Sequence, residues 1–255
     1  MIIDVHAHLD LFNEIELKKV LENAKNSGVE YIITNSVDLE TAKKSLLLSK
    51  KYSIIKVALG IYPEDALSIE RENFSKEDFL EFKKLVLENK KSIIAIGEIG
   101  MDFYHGKKEN SKSQEELFRE QLELAKKLNI PALIHTRGAE KEILEVLKDY
   151  PEVKKVLHCF CGNMKLVEKA SKLGCYFSIP CSLERMQNFL ELLEIVPQDK
   201  ILTETDSPYL SPFKGKQNES ANIKETIKII SKIWEVSEEE TEKIIQENTL
   251  RIFNL

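Results

Sequence analysis

Apolar residues fall along the chain in short runs, separated by longer stretches in which they recur every three or four positions. The runs are IIDV, VEYIIT, IIKVALG, SIIAIGEIG, IPALIH, VKKVLH, GCYFSIP and KILTETD, and each has the length of a strand. The stretches between them predict amphipathic helices. NEIELKKVLENAKNSG places Ile15, Leu17, Val20, Leu21 and Ala24 at helical spacing and closes on Gly28. Ser75 and Asp78 are placed as a capping box at the head of SKEDFLEFKKLVLENK. SQEELFREQLELAKKLN stops just before Pro131, which opens the next strand. Two amphipathic segments close the chain, Ile223–Trp234 and a second from Ser237 to about Arg251, where Ser237 and Glu240 repeat the capping-box spacing.

Eight strand–helix units within 255 residues predict an α/β fold, a (β/α)8 TIM barrel forming a single domain over residues 1–255. No Ser-, Gly- or Pro-rich linker divides the chain. A doubly wound open sheet would carry a Gly-rich phosphate turn after its first strand. Here the first strand ends in His-Ala-His instead.

Composition narrows the function. With 42% apolar and 31% charged residues the chain reads as a soluble globular protein. No run reaches the length of a membrane span, and the N-terminus lacks the pattern of a signal peptide, so a cytoplasmic protein is expected. Cys159, Cys161, Cys175 and Cys181 lack zinc-ribbon spacing and read as reduced packing residues. A net charge of −6 argues against a broad nucleic-acid-coating surface. It leaves room for an enzyme that grips one strand end, because bound metal ions can supply positive charge locally.

In such a barrel the functional groups project from the C-terminal ends of the strands. Strand one places His6 and His8 there, strand four Glu98, strand five His135, strand six His158 and strand eight Asp206. Four of the five histidines thus fall at one rim. Each has an ordinary reading of its own: a hydrogen-bonded core histidine, a charge at a helix start for Glu98, a turn with Pro208 for Asp206. Six such residues at one rim predict a metal site. Asp4 and Glu204 precede His6 and Asp206 by two positions, where a carboxylate could hold the far nitrogen of a ligating histidine. Arg137, two residues past His135, could hold an anionic group or make a surface ion pair. His105 reads as a solvated loop residue, with substrate contact open.

The segments DVHAHLD, GEIGMDFYH, QLELAKKLNIPALIHTR, HCFCG and TETDSPYLSP followed by GKQNE occur in order between residue 2 and about residue 220. Together they resemble the TatD family of metal-dependent deoxyribonucleases, within the amidohydrolase-like superfamily. The resemblance implies two divalent ions (one to three), Zn, Mn or Mg, at the strand ends. Carried over, His6, His8, Glu98 and Asp206 would hold one ion and Glu98, His135 and His158 a second, with Glu98 bridging and Asp206 doubling as general base. The implied chemistry is attack of a metal-activated hydroxide on a phosphodiester, catalysed by Glu98 and Asp206. The implied substrate is nucleic acid, single-stranded DNA ends degraded 3′→5′; protein partners are left open. Tyr62 stands where the family usually has a histidine and is expected to donate a hydrogen bond to phosphate. Lys214 or Lys216, with Arg137, would orient neighbouring phosphates. The alternatives are a metal-dependent ester or amide hydrolase, such as a D-aminoacyl-tRNA deacylase, and a non-catalytic metal-binding protein.

Overall fold

The computed structural model describes residues 1–63, 76–105 and 108–255; the capping box expected at Ser75 lies outside them. Every apolar run forms a strand: β1 (Ile2–Ala7), β2 (Val29–Asn35), β3 (Ile55–Leu59), β4 (Ile93–Asp102), β5 (Ala132–Arg137), β6 (Lys155–His158), β7 (Tyr176–Ile179) and β8 (Ile201–Thr203). Neighbours pair in parallel in chain order. Ala7 closes the ring by pairing with Ser207, beyond the end of β8. There the His8 N–H donates to the Ser207 carbonyl at 2.7 Å, and the Asp206 N–H to that of His6 at 2.9 Å. The expected (β/α)8 barrel is the observed one.

The first seven strands are each followed by a helix: α1 (Glu14–Asn26), α2 (Leu39–Lys51), α3 (Lys76–Glu88), α4 (Ser111–Leu128), α5 (Glu140–Leu147), α6 (Met164–Lys172) and α7 (Gln187–Ile195). Two more, α8 (Ile223–Trp234) and α9 (Glu238–Phe253), follow β8. Local chemistry sets their ends. Asn13 caps α1 by accepting from the N–H groups of Ile15 and Glu16, and Glu16 returns a bond to the Asn13 N–H. Gly28, at φ 79°, ends that helix in the left-handed conformation glycine tolerates. Helix α1 buries Leu17, Val20, Leu21 and Ala24, but Ile15 is 83% exposed: it lies in the first turn, on the side away from the sheet. Ser237 caps α9 through the Glu240 N–H, one arm of the expected box.

One apolar cluster takes a residue from every strand: Ile3 and Val5, Ile33, Ala58, Ala95, Leu133, Val156, Tyr176 and Leu202. That membership marks the barrel interior. Ile252 and Phe253 of α9 close it from below, where Asn248 of the same helix donates to the carbonyls of Gln198 and Ile201 at the start of β8. The opposite strand faces, including Leu59, Ile134, Leu157 and Phe177, pack against helical Phe118, Leu122, Leu144 and Phe189. Two positions beyond the interior layer, alternation puts Asn35, Gly60, Gly97, His135, His158, Ser178 and Glu204 on the same inward side. A polar layer therefore sits on an apolar one.

Candidate metal centre

His135 and His158 are register partners on β5 and β6, each two residues past an apolar interior residue. Their strands need nothing unusual to aim them inward. Glu98 is different: it lies in a register shift of β4 between Ile96 and Ile99. Neighbouring glycines leave it room. A Cβ on Gly60 would lie 2.5 Å from the Glu98 carbonyl oxygen, and one on Gly97 2.6 Å from the Leu133 Cβ. Asp206 follows the short β8 with φ at 55°, a left-handed conformation that is uncommon outside glycine.

These elements bring six side chains together. His6 Nε2 and His8 Nε2 lie 3.3 Å apart. Glu98 Oε2 is 3.6 Å from the first and 3.4 Å from the second, and Asp206 Oδ1 repeats those distances. Four donors bonded tetrahedrally at 2.0–2.2 Å to one ion would stand about 3.4 Å from each other. Five of the six edges of such a figure are therefore already present. On the other side of Glu98, its Oε1 lies 2.8 Å from His135 Nδ1, and His158 completes a second group with these two. Glu98 faces both groups. His6 and His158 stack between them with ring centroids 3.7 Å apart.

Two buried carboxylates orient the second pair of imidazoles. Glu204 Oε2 is 2.8 Å from His158 Nδ1, which leaves Nε2 toward the cavity. Asp102 Oδ2 is 3.0 Å from His135 Nε2, which leaves Nδ1 toward Glu98. The charges respond. Burial alone would lower the His158 imidazole, but Glu204 outweighs it and raises the pKa to about 10. For His8, burial is outweighed by Asp206 and Glu98, which raise it to about 9. Burial works against ionised Glu98 too, yet His135 and His6 hold its carboxyl well below the usual range. Among the six residues of the centre, burial dominates at His6, whose pKa it lowers, helped by neighbouring His158. No lysine or arginine among the described residues pairs with Glu98 or Asp206. A donor set of imidazoles and carboxylates pressed together without a lysine or arginine fits a divalent metal ion, which would take the place of the protons on His8 and His158.

A family model described as TatD related DNase matches residues 3–254. The chain belongs to that family. It is 36% identical to a metal-dependent hydrolase of Methanocaldococcus jannaschii, MJ1582, over 98% of this chain and 96% of the relative. It is 31% identical to human deoxyribonuclease TATDN3 over 99% and 94%. The TatD homologue YjjV of Escherichia coli superposes with a TM-score of 0.89 at 24% identity, covering 100% and 98% of the two chains, and shares the fold. Membership makes this TatD-family chain a metal-dependent hydrolase.

A cavity of about 700 Å³ opens over the centre, lined by His8, Glu98, His135, His158 and Asp206 and, at its wall, by Tyr62, His105 and Arg137. Lys214 and Lys216 are not brought to it. They are exposed on the long loop after β8, and Lys216 lies over the Phe213 ring instead. Tyr62 reaches the cavity, but its hydroxyl donates to Asp102 Oδ2 at 2.8 Å rather than standing ready for a phosphate. Asp4 also departs from expectation. Its carboxylate accepts from the N–H and hydroxyl of Thr205 at 2.9 and 2.6 Å and from the His6 N–H, and it touches no imidazole. The register shift in β1 between Asp4 and Ala7 removes the alternation that had placed Asp4 beneath His6. Asp4 thus ties β1 to the residue just before Asp206. Cys175 and Cys181 are buried as expected, whereas Cys161 is exposed. Asp102 escaped the sequence reading; its signal was an acid ending GEIGMD, on the same strand as Glu98.

Proposed function

We propose that this TatD-family hydrolase cleaves nucleic-acid phosphodiesters, with single-stranded DNA ends as its substrate and 3′→5′ removal of nucleotides as its polarity. The observation that carries the reading is Glu98 standing between two donor groups at the floor of an open cavity, with Arg137 at the wall. Phosphoryl transfer asks for such a floor and for a cation beside it. Deoxyribonuclease is also the name carried by the human relative.

In this reading His6, His8, Glu98 and Asp206 hold one divalent ion, and Glu98, His135 and His158 hold a second. When bound, such ions supply Lewis acidity, activating water near neutral pH and drawing charge from a phosphoryl oxygen. The donor spacing and the share of imidazole favour Zn²⁺, with Mn²⁺ and Mg²⁺ as the other ions to test.

The chain's own residues do the rest. Burial works against an ionised Asp206, but His8 and the other imidazoles keep its carboxyl below the usual range, so it is a carboxylate able to take the proton from the attacking water. Its backbone is fixed on both sides, by its own N–H to His6 and by its carbonyl accepting from the Tyr209 N–H at 2.7 Å. Glu204 and Asp102 keep His158 and His135 in one orientation. Arg137 holds the anionic substrate.

The test is to strip the protein with chelator, reload it separately with Zn²⁺, Mn²⁺ or Mg²⁺, and follow end-labelled single strands, matched duplexes and an aminoacyl ester. Metal-dependent shortening from the 3′ end is expected, and Asp206→Asn should lower kcat by at least about 10²-fold. Cleavage of the ester alone, or of nothing with any ion, would sink the nuclease reading.

A further inference from the structure

The wall of the cavity is not uniform in charge. Asp10 and Asp38, from the loops after β1 and β2, line one side. Asp10 is buried, its Oδ1 has no partner among the described residues, and Lys44 beside it donates to the Asp10 carbonyl rather than to the carboxylate. Three strands round the barrel, at the ends of β4 and β5, the wall carries His105 and Arg137 instead. Like charge on the first side would repel a phosphate, and Arg137 on the second would attract it.

The second side is also built. Asp102 and Arg137 are register partners, and the Phe103 N–H donates to the Arg137 carbonyl at 2.8 Å. The buried Asp102 carboxylate then gathers the loop that follows it. Its Oδ1 accepts from the N–H groups of Tyr104 and His105 at 2.7 and 2.8 Å, and its Oδ2 lies 3.0 Å from His105 Nδ1. With Nδ1 held there, His105 presents Nε2, at the opposite edge of its ring, to the cavity it lines. Arg137 lies across the face of Tyr104, its guanidinium carbon 4.0 Å from the ring centroid.

The other described arginines are engaged: Arg119 with Glu115 and Asp149, Arg251 with Asp199, and Arg185 with the carbonyls of Ser211 and Pro212. Among the described residues Arg137 has neither a carboxylate nor a carbonyl partner. A guanidinium stacked on an aromatic ring with its N–H edge open is pre-organised for a phosphate.

Resting on the nuclease reading above, we propose that Tyr104, His105 and Arg137 form a subsite for the phosphate next to the scissile one. The strand leaves the metal centre over the ends of β4 and β5. Arg137 binds that phosphate through its N–H edge, His105 donates a hydrogen bond from Nε2 when its ring carries both protons, and Tyr104 holds Arg137 in place.

The metal-loaded protein, wild type and Arg137→Gln, is titrated with a fluorescent phosphorothioate oligonucleotide over a series of salt concentrations. Loss of one phosphate contact on a single strand should reduce the slope of log K against log salt by about 0.7, with binding roughly ten-fold weaker. Kinetics on two substrates give a second readout. The loss in kcat/KM for Arg137→Gln and His105→Gln should be about ten-fold greater on an oligonucleotide than on bis(p-nitrophenyl) phosphate, which has no neighbouring phosphate. Tyr104→Ala, which keeps the charge but removes its support, should weaken binding with the slope retained. An unchanged slope in Arg137→Gln, or equal losses on both substrates, overturns the subsite while leaving the nuclease intact. A wild-type protein that neither binds nor cleaves the oligonucleotide overturns both.

Discussion

Asp102 collects more of the site than any residue chosen for its side-chain type. It accepts from Tyr62 and two backbone N–H groups, faces the rings of His105 and His135, and is itself buried. Burial alone would raise its pKa, yet His135 and His105 bring it far below the ordinary carboxylate range. Its ionised form is thus the one the fold selects, and an amide cannot replace that acceptor for two imidazoles. Asp102→Asn should weaken metal binding by about 10–100-fold, measured by competition with a fluorescent chelator, because His135 loses the partner that fixes its tautomer. An unaltered metal affinity would show that β5 alone positions the ring. The sequence signal of Asp102 is weak, an acid at the end of the strand that carries Glu98. His135 lies 33 positions away, and the contact exists only once β4 and β5 pair.

Among the elements, the strands carry most of the information. The eight apolar runs are legible because each strand buries one face on the barrel interior and the other against helices. Where a strand is irregular, its position at the rim is still legible but the alternation no longer says how a residue is aimed. Strand β8 ends at Thr203, so Glu204 and Asp206 belong to the turn that leaves it, and the shift in β4 governs Glu98. Gly60, just past the end of β3, is part of this second irregularity. Gly60→Ala would press a methyl group against the Glu98 backbone at 2.5 Å, where no flexible side chain can give way. Such overpacking should cost roughly 1–3 kcal/mol in urea unfolding and disturb metal loading together with it. Retained stability with intact loading would mean that β3 can retreat without moving Glu98.

At the level of the whole molecule, the centre couples stability to pH and to metal. In the metal-free protein His8 and His158 bind protons more tightly than the unfolded chain does, near 9 and 10 against 6.5. A pKa raised by folding contributes stability that is complete below the unfolded value and is lost as pH rises through the folded one. Chelated protein should therefore melt at progressively lower temperature from about pH 6.5 to 10. The metal-loaded protein, whose ions take the place of those protons, should show a smaller fall over pH 6.5–9 and release protons on loading, read by calorimetry in two buffers. A flat melting profile without metal would contradict the charge assignments. No helix among the described residues is long and apolar enough to cross a membrane.

The order of apolar runs, the helical spacing between them and the position of six ligand-type residues at strand ends were properties of the chain itself. They predict the barrel and the rim because side-chain periodicity is local, two along a strand and 3.6 along a helix. What depended on folding was every pairing across strands. Asp4 turned out to hold Thr205 rather than an imidazole, Tyr62 gave its proton to Asp102, Lys214 and Lys216 stayed outside, and His105 joined Arg137 at the wall. Periodicity assigns a residue to a face; a one-residue register shift or a loop of ten residues reassigns its neighbours, and those neighbours decide what the residue does.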